Sequence, residues 1–203
     1  MKSFKAAKVV LAVLLAGLLF SGVTTAATVA TEAQISDITT TFQAGGDVSE
    51  LASDYMADIT SSLIAQGLTG EELQAQVAIA LQELTSGLDS GAPNFETAVS
   101  QILEAGTTGA VNGVNQSVGA DPNLDPASLT SAVTSGASDA VGLIIAAYPN
   151  LNIDTLTAAV TQGALAAGVE PPEAFEPAVV TQITFPDTTI VETPPTGDEI
   201  ASK

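Results

Sequence analysis

The 203-residue chain carries 23 acidic side chains against four lysines, has no arginine, histidine, cysteine or tryptophan, and has a formal net charge of −19. Such a surface has no cations with which to displace the counterions of a phosphate backbone or an anionic lipid layer, which excludes nucleic-acid binding. Without cysteine there are no disulfides and no thiolate chemistry, and without histidine there are no zinc sites of the His/Cys type.

Residues 1–26 read as a secretory leader with cleavage near 26/27. Lys2, Lys5 and Lys8 form a basic start, Val9 to Phe20 an apolar run, and Thr24 and Ala26 a small-residue pair before the cut. The apolar run is shorter than the ~20 residues that span a bilayer, so removal rather than retention is expected. No cysteine follows it to take a lipid. Removal leaves Lys203 as the sole basic side chain beside all 23 acids, a composition suited to a saline or cation-rich exterior where self-repulsion is screened. The expected location is secreted, extracellular or periplasmic, with no membrane contact after the leader is removed.

Residues 27–173 read as an all-α domain of Ala/Gly-rich stacked short-helix repeats, either an α-solenoid or a compact helical array. The segment around Ile35, Ile38 and Phe42 is expected to pack on a longer amphipathic helix from Val48 to Gln66, through Leu51, Tyr55, Ile59 and Leu63. Repeats follow near 70–93, 95–122, 124–149 and 151–172. Their shared spacing is apolar-x3-apolar-x2-small: Leu73/Val77/Ala80, Val99/Leu103/Gly106, Leu129/Val133/Gly136 and Leu156/Val160/Gly163, in steps of 26, 30 and 27 residues. Each copy is followed by a proline stop (Pro93-Asn94, Pro122-Asn123, Pro149-Asn150, Pro171-Pro172), which is the pattern of stacked helical units. Each unit is read as two short helices, with Gly136, Gly142 and Gly163 serving as bends or close approaches. Expected caps are Thr69 with Glu72 as a capping box, Asp125 ahead of Pro126, and Asn152 or Asp154.

Residues 174–203 form a β-prone, Pro-rich tail. AVVTQITF alternates, placing Val179, Thr181, Ile183 and Phe185 on one face, and Ile190 lies in a second β-prone run. A short strand or hairpin that adds to another subunit is one expectation for this region, and a flexible end is the other.

Two junctions alternate oxygen side chains: Asp121, Asn123, Asp125 and Asn150, Asn152, Asp154. Calcium takes 6–8 oxygens, and the EF-hand glycine and final glutamate are replaced by Pro126 and Ala132 in one copy and by Thr155 and Thr161 in the other. These residues are therefore expected to act as turns and caps, with weak divalent-cation binding as the alternative, and no cofactor is expected. Thr130/Thr134 and Thr157/Thr161, which could form a flat hydroxyl face, read as ordinary half-buried helix positions. No serine has a His or Lys partner, and neither a nucleophile elbow nor a phosphate-binding glycine motif is present, so no catalytic residues are assigned and an enzyme is not expected. The expected function is a secreted, non-enzymatic structural or interaction protein, such as an extracellular filament or biofilm-matrix subunit that self-associates. The alternative is a monomeric helical binding module for a peptide or protein partner.

Overall fold

The computed structural model describes residues 29–169. Within them the chain forms six helices and no strands: α1 (Glu32–Gln43), α2 (Ser49–Ala65), α3 (Gly70–Thr85), α4 (Phe95–Ala120), α5 (Pro126–Ala147) and α6 (Ile153–Ala166). The expected leader (1–26) and the expected β-prone tail (174–203), with the residues expected to make subunit contacts (Val179, Thr181, Ile183, Phe185 and Ile190), lie outside the described residues.

Each copy of the repeated spacing falls on a single helix, and its apolar members are buried. Leu73 and Val77 on α3, Val99 and Leu103 on α4, Leu129 and Val133 on α5, and Leu156 and Val160 on α6 are each at most 2% exposed. This corrects the reading of two short helices per unit. Helix α5 runs unbroken from Pro126 to Ala147, so Gly136 and Gly142 lie inside it and do not separate two helices.

Packing joins each helix mainly to the helix two places away: α4 on α2, α5 on α3 and α6 on α4, with α1 lying against α3 and α2. The reason is visible at the glycines. A Cβ on Gly109 would run into the backbone carbonyl of Ser53, and one on Gly163 into that of Glu104. On Gly113 it would lie 2.5 Å from the Ala57 carbonyl oxygen, and on Gly136 2.5 Å from that of Gln74. Four glycines therefore seat helix backbone directly on helix backbone. Across the α4–α6 contact, the Thr108 hydroxyl also donates to the Gly163 carbonyl at 3.0 Å.

The connections repeat as well. In Ala92–Phe95, Asp121–Leu124 and Tyr148–Leu151 the N–H of the fourth residue donates to the carbonyl of the first, at 3.1, 3.3 and 3.1 Å. Proline takes the second place in each turn, where its fixed φ suits the geometry. The proline-asparagine pair is thus a turn module.

Capping follows the sequence except at one helix. The Asp125 carboxylate accepts from the Ala127 N–H at 3.1 Å, with Pro126 opening α5. Asn152, not Asp154, caps α6. Thr69 takes the N-cap position of α3 but its side chain makes no capping bond, so the expected capping box with Glu72 is not formed. A capping box occurs instead at α1, between Thr31 and Gln34.

The start of the described chain is held by Glu83 of α3. One oxygen of its half-buried carboxylate accepts from the Val29 and Ala30 N–H groups at 2.9 and 2.8 Å. Burial pushes the carboxyl above its ordinary range, against the opposing pull of the two N–H donors, first Ala30 and then Val29. The folded state therefore favours the proton, and this contribution to stability is lost as pH rises from the ordinary carboxylate range through the folded value. Denaturation curves between pH 4 and 7 are expected to show wild type losing stability relative to Glu83→Gln as pH rises. Glu83→Ala, which strands both donors, should cost about 1–2 kcal/mol near pH 4 and less as pH rises.

Among the described residues two buried hydroxyls, those of Thr60 and Ser100, have no hydrogen-bonding partner. Thr60 is fully buried beside Gly113. Thr60→Val, which keeps the shape and removes the stranded polar atom, is expected to leave stability unchanged or raise it by up to about 1 kcal/mol in urea unfolding.

Candidate functional site

Four of the six oxygen-bearing junction residues, Asp121, Asn123, Asp125 and Asn152, are used in turns and caps. Asp121 accepts from the Asn123 N–H and side-chain amide at 3.0 and 2.9 Å, and these bonds hold its carboxyl below the ordinary range. Asp125 caps α5, and the Asn152 oxygen accepts from the Asp154 and Thr155 N–H groups at 2.9 and 3.4 Å. Asn150 and Asp154 are exposed, Asn150 in the turn and Asp154 in the first turn of α6. Among the described residues, no three His, Cys, Asp or Glu side chains converge in a way that could hold a metal.

Asn152→Ala therefore gives a direct test of the capping role. Loss of the cap is expected to cost about 1 kcal/mol of stability, by the same amount with calcium and with chelator, read from thermal melts.

The threonine pairs are turned inward on their own helices. The Thr134 hydroxyl donates to the Thr130 carbonyl and that of Thr161 to the Thr157 carbonyl, both at 2.9 Å. The same i−4 bond satisfies buried Thr107, whose hydroxyl donates to the Leu103 carbonyl at 2.6 Å.

Open concavities occur at the helix ends among the described residues. One, of about 410 Å³, is lined by Pro93, Phe95, Glu96, Tyr148, Pro149 and Leu151. There the Phe95 and Tyr148 rings meet edge to face, centroids 4.9 Å apart at 69°, an arrangement favoured by aromatic quadrupoles. Burial pushes the Tyr148 phenol up. Another, of about 490 Å³, lies between the C-terminal ends of α2 and α4, beside Asp121 and Leu124. Each contains a single carboxylate, Glu96 in the first and Asp121 in the second, with serine hydroxyls beside it (Ser90; Ser61, Ser62 and Ser117).

The surface feature the sequence pattern did not reveal is apolar. The exposed large hydrophobic residues among the described residues, Leu143 (42%), Ile153 (48%) and Leu165 (47%), all belong to α5 and α6. Leu143 and Ile153 flank the Tyr148–Asn152 turn, and Leu165 lies in the last turns of α6. Helix α5 is also apolar enough, by length and composition, to cross a membrane; half of that window is buried within the fold, where α5 packs on α3, α4 and α6.

Comparison with known proteins gives no family, relative or fold neighbour: no family model, curated protein or solved structure matches the chain.

Proposed function

We propose that the chain is a secreted, non-enzymatic structural or interaction protein that works through its surface, as a subunit of an extracellular filament or matrix. The observation that carries this reading is the side-chain alphabet. Outside residues 1–26 the chain has no histidine, cysteine or arginine and one lysine, Lys203. General acid–base and nucleophilic catalysis both need a partner group that this alphabet barely supplies. The leader reading adds the location, and the recurrent helix-turn module supports reading the domain as a stack of repeated units. On this reading the β-prone tail, through Val179, Thr181, Ile183, Phe185 and Ile190, links neighbouring copies by strand addition.

Sedimentation and negative-stain microscopy of the chain from residue 27, with and without residues 174–203, test the proposal across salt and calcium concentrations. Assemblies that shrink when the tail is removed are expected. A monomer under every condition overturns assembly.

The concavity at Phe95 and Tyr148 favours a second reading, a monomeric binding module. Aromatic and proline walls of this kind suit a short apolar or proline-containing peptide. A pull-down that returns one stoichiometric partner, lost on Tyr148→Ala, would support that reading.

A further inference from the structure

We infer that Asn112–Gly113 is a deamidation site that stays silent while α4 is folded and marks, irreversibly, any chain in which α4 has opened. The inference is independent of the assembly reading above. Among the chain's six asparagines only Asn112 precedes a glycine; the others precede Phe95, Gln116, Leu124, Leu151 and Ile153. Glycine has no side chain to obstruct the approach of its own nitrogen to the preceding carboxamide, and its backbone turns freely. Asn112 is exposed to water inside α4, whereas Gly113 is buried and seated on α2.

The chemistry needs only these two residues and water. The Gly113 nitrogen, having lost its proton to solvent base, attacks Asn112 Cγ and forms an N–C bond. The Cγ–Nδ2 bond breaks, and Nδ2 takes up a proton from solvent and leaves as ammonia. Water then opens the five-membered imide at either carbonyl. One route gives aspartate; the other gives isoaspartate, whose main chain runs through the side-chain carbonyl and is one methylene longer. The folded helix blocks the first step twice. The helical ladder holds the Gly113 N–H against the carbonyl four residues back, and ring closure would carry the Asn112 ψ out of the helical region. The reaction therefore proceeds from opened α4, and its rate follows the open population.

The position gives the mark its consequence. A Cβ on Gly113 would lie 2.5 Å from the Ala57 carbonyl oxygen and 2.9 Å from Thr60 Cβ, so α2 leaves no slack there. The Gly113 carbonyl also accepts from the Ser117 hydroxyl at 2.8 Å. An isoaspartate immediately before this glycine breaks the helical ladder and shifts the seat by one backbone atom, so α4 cannot return to α2 in register. Either product also adds a carboxylate to a chain that has no basic side chain between residues 9 and 202. A chain that has stayed open long enough to react is thereby removed from the folded pool.

Peptide mapping by mass spectrometry tests the inference on the chain from residue 27, held at mildly alkaline pH in buffer and in denaturing urea. Conversion at Asn112 is expected to be at least tenfold faster in urea, and faster there than at the other five asparagines. Gly109→Ala, which forces α2 and α4 apart beside this seat, should raise conversion in buffer at least tenfold, and Gly142→Ala should not. Should Gly109→Ala fail to fold, wild type in sub-denaturing urea takes its place, with conversion rising in step with the unfolded fraction. Isoaspartate chains separated after urea treatment should refold to a less stable state than Asn112→Gln carried through the same treatment. Equal conversion in buffer and in urea overturns the gating by α4. Dominant conversion at another asparagine overturns the site, and isoaspartate chains that refold with full stability overturn its consequence.

Discussion

Gly109→Ala is expected to destabilise the fold by about 2–3 kcal/mol, although alanine is the better helix former by about 1 kcal/mol. The added methyl would enter the backbone of Ser53, where the carbonyl oxygen, carbonyl carbon and Cα all stand in its way. A side chain can rotate out of a clash, but a helical backbone cannot, so relief requires α2 and α4 to separate along their whole contact. That separation would also loosen Gly113 from the Ala57 carbonyl, one helical turn away. The control is Gly142→Ala, at a helical glycine facing open space. There only the propensity gain operates, and stability should rise by about 0.5–1 kcal/mol. Urea unfolding of the two variants, analysed with unchanged m-values, reads opposite signs from the same chemical change. Equal effects would mean that the glycine contacts do not set the helix spacing.

Leu103→Ala is expected to cost about 2–5 kcal/mol. Leu103 is fully buried in the longest helix, which packs on α2 and α6 with α3 and α5 beside it, so the cavity would open where most elements meet. The corresponding position holds Val77 in α3, Val133 in α5 and Val160 in α6. Truncating those valines removes one carbon fewer, and each should cost less than Leu103→Ala. Thermal and urea unfolding of the four variants would check the order; a valine variant as damaging as Leu103→Ala would contradict a core centred on α4.

The contrast between these positions explains what could be read from the sequence. The apolar-x3-apolar-x2-small spacing identified the buried faces of α3 to α6 because helical periodicity is a local property. Proline and Asx signals located the turns and the α5 cap for the same reason. What failed was the expected bend at glycine inside a helix, whereas the close approach also expected of Gly136 and Gly163 is present. Gly136 weakens α5 locally, which made two short helices look better than one long one. The compensating contact is with Gln74, 62 positions away in the chain, and nothing near Gly136 announces it. Glu83 holding Val29 and Ala30 is equally silent in the sequence, since the partners lie 54 and 53 residues apart. Leu143 and Leu165 were missed because both fall off the buried stripe. An apolar residue out of phase is the signal that could have found them. At the oxygen-rich junctions, the expected capping is made by Asp125 and Asn152.

The seating of glycine on carbonyl gives the two sides of each contact very different freedom to change. The glycine side admits no other residue without moving a helix. The facing side is touched through its main-chain oxygen, which every amino acid possesses, so Ser53, Ala57, Gln74 and Glu104 can be exchanged at these contacts with little effect on the fit. No substitution there can make room for a methyl across the interface, because the obstructing atom is not encoded by the side chain. Suppressors of a Gly109 defect should therefore not arise at Ser53, and correlated substitution between the two positions should be absent in any lineage that keeps this packing. An invariant residue would then sit opposite a freely varying one, even though the two are in direct contact.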